Sequence, residues 1–133
     1  MNLEIVKENI KEHSWGWNPK ITKLNYDCIT HEAELTHTDG VETEVVYIFT
    51  NALKVSFDSA KSMNVGVKKE GQFIKTKELN TGQMECHLQS INVSIETEDE
   101  IDFYVVKIDM FPTEVEIWCK DIEVSRKEVI RHT

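Results

Sequence analysis

A chain of 133 residues with 40% hydrophobic content is the size of one domain and can bury a single core, which argues against disorder and against any need for disulfide staples. Its 24 acids against 15 bases give a formal charge of −9, a field that repels phosphate backbones and anionic lipid, so neither nucleic acid nor membrane is expected as a partner. Cys28, Cys86 and Cys119 are odd in number and widely spaced, the N-terminus has no signal-like apolar run, and no stretch approaches ~18 apolar residues; a soluble cytoplasmic protein with reduced thiols is expected.

Leu3, Val6 and Ile10 recur at helical spacing, which predicts one short helix over about 3–13. It should stop before Trp15-Gly16-Trp17-Asn18-Pro19, since Gly16 accepts positive φ and Pro19 holds Asn18 extended. Trp15 and Trp17 either plug one end of the fold or form an aromatic ligand-binding loop. From Lys20 the period becomes two, and strands are expected at about 20–27 and 29–37, with a turn near Asp27 where the parity of Cys28 and Ile29 changes. In the second, Ile29, Ala33 and Leu35 would point inward. Asp39-Gly40 is a hairpin signal, leading to a strand at 42–50 that is apolar on both faces and therefore central. Leu53, Val55 and Phe57 suggest a short strand at 53–57 returning beside it.

Apolar density falls between Asp58 and Gly71, so a long loop is expected there before a weak strand at 72–78. A strand over 84–95 changes parity near Gln89-Ser90, and one over 114–124 does so between Cys119 and Ile122; two such bends predict a sheet that curls. Between them, Ile101–Met110 and Val115–Cys119 alternate on either side of Phe111-Pro112-Thr113 as a β-hairpin. Glu96-Thr97-Glu98-Asp99-Glu100 reads as an exposed acidic hairpin tip. The whole predicts one mainly β (α+β) domain over 1–133: a curled antiparallel sheet, sandwich or partly open barrel of about eight strands, with one short N-terminal helix.

No catalytic, dinucleotide or phosphate-binding fingerprint is present. The five histidines lack the tight paired spacing of a zinc site, and His31 and His37 stand roughly 20 Å apart if extended, so no metal or other cofactor is expected. Alternating acids such as Glu32/Glu34, Glu42/Glu44 and Glu114/Glu116 fall on outward parities, where solvated carboxylates are the rule, so no enzyme is expected. Charge segregation is the stronger signal. Asp27 to Val46 holds six acids and no Lys or Arg, while Lys54 to Lys77 holds six lysines and two acids. If the Asp39-Gly40 hairpin forms, Glu32, Glu34, Glu42 and Glu44 gather on its solvent face and could meet a basic protein.

Ile21-Thr22-Lys23-Leu24 before a charged strand, the Val45 to Phe57 pair, Gln83 to Val93, and the closing Val115-Glu116-Ile117-Trp118-Cys119-Lys120-Asp121-Ile122 together resemble small Gram-positive bacterial immunity proteins of polymorphic toxin systems, the immunity-protein-50 kind. The resemblance implies a non-enzymatic inhibitor whose partner is a toxin domain. The alternative is a small apolar-ligand-binding protein of barrel-like type, with Trp15 and Trp17 at its mouth. Oligomeric state leaves no signal in the pattern.

Overall fold

Two-residue alternation gives each strand one oily side, and two such sides must cover each other. A computed structural model describes residues 1–13, 19–58, 66–69, 72–75, 86–110 and 113–129, with the backbone alone described for 66–69 and 72–75. It places a helix, α1 (Leu3–Glu12), before the strands β1 (Ile21–Asp27), β2 (Glu32–Thr38), β3 (Thr43–Thr50) and β4 (Lys54–Asp58). There follow β5 (Gly66–Lys69), β6 (Gln72–Lys75), β7 (Ser90–Glu98), β8 (Ile101–Met110), β9 (Thr113–Cys119) and β10 (Asp121–Glu128). Eight of the strands form two antiparallel four-stranded sheets, ordered β1-β2-β3-β10 and β4-β9-β8-β7, and β5 pairs with β6 alone. The mainly β expectation is met as two sheets without closure into a barrel.

The inward side chains of both sheets form one core. Ala33, Leu35, Val45, Tyr47, Phe49 and Ile122 come from the first sheet, and Val93, Tyr104, Val106, Ile108, Val115, Ile117 and Cys119 from the second. Each fully buried aliphatic side chain contributes about 1.5–3 kcal/mol. Asn2 caps α1 by accepting from the Ile5 N–H at 3.2 Å, while its own N–H donates to the Tyr104 hydroxyl at 2.9 Å. The cap thereby fixes the helix to β8, and Val6 and Ile10 are buried in the common core. At the β2–β3 turn Gly40 has φ +84°, a left-handed backbone that glycine adopts without steric cost.

Several expected strands break where the chain changes sheet. The segment 114–124 is two strands in different sheets, parted at Lys120; the parity change after Cys119 marks that crossing. The segment 84–95 also divides. Ile21 donates to the Cys86 carbonyl and Leu88 to that of Pro19, beside the start of β1, before β7 opens at Ser90 on the other sheet. The strand at 53–57 does not return beside β3. Asn51 takes φ +50°, Ala52 still donates to His31 in the β1–β2 turn of the first sheet, and Leu53 donates to Trp118 of the second sheet, so β4 pairs with β9 instead. Within the loop expected over 58–71, Gly66–Lys69 forms a strand paired with Gln72–Lys75. Ile29 is not inward-facing but 86% exposed, because the Asp27 carboxylate accepts the N–H groups of Ile29 and Thr30 and closes a turn that delays β2 until Glu32. Trp15 and Trp17 lie outside the described residues.

Candidate functional site: the acidic end of the first sheet

The β2–β3 hairpin forms, but its register separates the four glutamates. Thr38 faces Glu44 and Glu34 faces Ile48, so Glu34 and Glu44 stand four residues apart along the ladder, roughly 13 Å. Glu42 precedes β3 in the connecting turn and is exposed. Glu44 accepts a hydrogen bond from the Thr22 hydroxyl at 2.6 Å, and Glu34 is paired with Lys23. The expected single patch is therefore two pairs at opposite ends of one outward face.

The end that holds Glu32 and Glu34 is enlarged by neighbours on both sides. Asp27 on β1 faces Glu32, and on β10 Asp121 faces Thr50 while Glu123 faces Ile48, which itself faces Glu34. Strands lie about 4.8 Å apart, so Glu34 and Glu123, two ladders away, are separated by roughly 10 Å across the half-buried Ile48. Backbone N–H groups of Ile29 and then Thr30 hold the Asp27 carboxyl below the ordinary carboxylate range. It stays ionised at neutral pH. An open concavity of about 610 Å³ lies beside this end, with Asn25, Asp27, Thr30, Glu32 and Glu34 among its lining. Such an array can attract cations and hydrogen-bond donors.

Sequence reasoning missed Asp121 and Glu123. Their alternation with Ile122 and Val124 marks them as outward, but only the β3–β10 pairing brings them beside Ile48 and Thr50.

The polar groups inside the sandwich are structural. His37 is buried, with Nδ1 2.9 Å from the Thr38 carbonyl oxygen and Nε2 2.9 Å from the Tyr47 hydroxyl. A carbonyl can only accept, so Nδ1 carries the proton and Nε2 accepts from Tyr47. Burial lowers the His37 pKa, and burial raises that of Tyr47. His31, by contrast, is exposed in the β1–β2 turn, so the two histidines do not share an environment. Among the described residues no group of three or more His, Cys, Asp or Glu side chains gathers as metal ligands. Glu116, from one of the alternating acid pairs, stands 3.8 Å from Lys107 on the outer face of the second sheet.

Fold and surface together define an acidic antiparallel β-sandwich that turns carboxylates toward its surroundings. The family model for immunity protein PIM7 matches residues 2–126, nearly the whole chain, and the chain belongs to that family. Comparison with curated proteins returns no match. The resemblance to immunity proteins is thus supported at family level, and with it an immunity-type inhibitor role.

Proposed function

We propose that this chain neutralises a toxin by stoichiometric binding, without turnover, and that the toxin surface it meets is basic. The observation that carries the second half is the concentration of Asp27, Glu32, Glu34, Asp121 and Glu123 at one end of a single face, on a chain with formal charge −9. Among the described residues Glu34 is paired with Lys23. Glu42 and Glu44, at the other end of the face, extend the same field. Charges so arranged raise the rate of encounter with a basic partner and repel acidic competitors. The reading puts binding in the cytoplasm, which accords with three unpaired cysteines.

The experiment is to purify the product of the gene beside this one and measure its complex with the chain at low and high salt. Complex formation that weakens with salt, and protection of cells that express that product, are the expected results. No complex at low salt refutes the neutralisation reading, and full protection by a variant with all five acids replaced by their amides refutes the basic surface.

A further inference from the structure

The outer face of the second sheet carries a different kind of surface. Beside the β7–β8 turn lies a concavity of about 200 Å³, with Phe103 and Trp118 in its lining, Leu53 and Ile101 at its sides, and Glu98 and Asp99 at its rim. The two rings have centroids 6.0 Å apart and are tilted by 57°, a favourable edge-on geometry. Leu53 is 55% exposed and Ile101 47%, so the aromatic floor has open apolar walls.

Both lysines at this place are engaged within it. Lys54 Nζ lies 4.5 Å from the Trp118 ring centre and 2.8 Å from Glu98, and Lys120 Nζ lies 5.3 Å from the Phe103 ring while donating to the Asp102 carbonyl at 2.6 Å. Around them the hairpin carries Glu96, Glu98, Asp99, Glu100 and Asp102, five acids in seven residues. The rim is therefore negative. An apolar, aromatic centre bordered by more carboxylates than lysines has the anatomy of an interface that is anchored by one inserted side chain. A second copy of this chain is a poor occupant, since it would bring the same acids against themselves.

We infer that the Trp118 concavity is the anchor point for a basic protein that seats one large apolar side chain among flanking lysines or arginines. The inference rests on the toxin reading above and gives that partner a second, distinct point of contact. The acidic end of the first sheet offers carboxylates around a half-buried Ile48, with Ile29 exposed in the adjoining turn, so it acts on approach. The Trp118 concavity acts on residence.

This division is read out by kinetics, since steering charges change the association rate and desolvated anchors the dissociation rate. The test uses the purified product of the adjacent gene, immobilised, with the chain and its variants flowed over it. Trp118→Ala should speed dissociation by about 30-fold or more, the range of a hot-spot residue. Because Trp118 also packs against Phe103, the double variant Leu53→Ser/Ile101→Ser, at two half-exposed positions, carries the test if Trp118→Ala folds poorly. It should speed dissociation about tenfold with association within threefold of the parent. Glu32→Gln/Glu123→Gln should instead slow association at low salt and leave dissociation unchanged. A double variant that dissociates like the parent overturns the anchor while leaving the toxin reading intact. A parent that does not bind removes both. Parent dimers in sedimentation that the double variant abolishes would make a second copy the occupant and also overturn it.

Discussion

His37 makes the core sensitive to acid, and the size of the effect can be worked from its surroundings. The ring is fully buried, its Nδ1–H donates to Thr38 and its Nε2 accepts from Tyr47. A proton added at Nε2 would abolish that acceptor and place a charge in the sandwich. Burial is the dominant influence and lowers the pKa; Thr38, Asp39 and Glu44 pull it back upward, while the nearby Arg126 lowers it further. In the unfolded chain the imidazole titrates near 6.5. Below that pH the unfolded state binds a proton that the folded state refuses, so stability is fully present above the unfolded value and is lost as pH falls. The loss is at most about 1.4 kcal/mol per pH unit. Over the 1.5 units to pH 5 that is at most roughly 2 kcal/mol, or about 6 °C in Tm for a domain of this size. Urea unfolding of the parent and of His37→Gln at half-unit steps from pH 8 to 5 measures it. The variant should be less stable at pH 8 and should show a shallower fall between pH 6.5 and 5. Parallel curves across that window would refute the reasoning, because the slope would then belong to other groups.

Two further predictions concern the core. Ile117 is fully buried between β4 and β8, facing Val55 on one side and Val106 on the other, so Ile117→Ala should cost about 2–5 kcal/mol, measured as a lower urea midpoint at unchanged slope. Burial pushes the Cys119 thiol up to about 12, assisted by the Asp121 charge, so at pH 8 iodoacetamide should label exposed Cys28 in the native protein and leave Cys119 unlabelled until urea is added, as read by mass spectrometry.

Where one side of the chain had to be oily, the amino acids announced it. Val45, Tyr47 and Phe49, and likewise Val115, Ile117 and Cys119, are all buried, as their alternation requires, and β3 is an inner strand as its two apolar faces imply. Val6 and Ile10 meet the core at helical spacing for the same reason. What alternation cannot carry is which strand lies beside which. A parity change looks the same whether one strand bulges or the chain leaves one sheet for another, because both insert an odd residue into a period of two. Within β1 the register shifts between Ile21 and Lys23, an irregularity inside a single strand. At Lys120 it is a crossing.

The site was hidden by the same ambiguity. Grouping Glu32, Glu34, Glu42 and Glu44 treats hairpin partners as if nearness in sequence meant nearness in space, yet an antiparallel ladder brings together residues at equal distance from the turn. The ladder of this hairpin is centred on Val41, with Thr38 opposite Glu44 and Ile48 opposite Glu34, so Glu34 and Glu44 cannot face one another, whereas Glu34 can share a ladder row with Glu123, almost ninety positions later. The crossing at Lys120 has a second effect. In one unbroken strand Trp118, Lys120 and Ile122 would share a face; with the change of sheet, Trp118 turns outward on β9, Cys119 and Ile122 both turn inward, and Asp121 turns outward on β10. Four consecutive residues therefore supply the aromatic floor of one exposed surface, the seal of the core and a carboxylate of the other surface. Deleting Lys120, the odd residue, should disturb both surfaces together, read as slower association and faster dissociation in the same binding measurement, whereas a substitution confined to either side should change only one of the two rates.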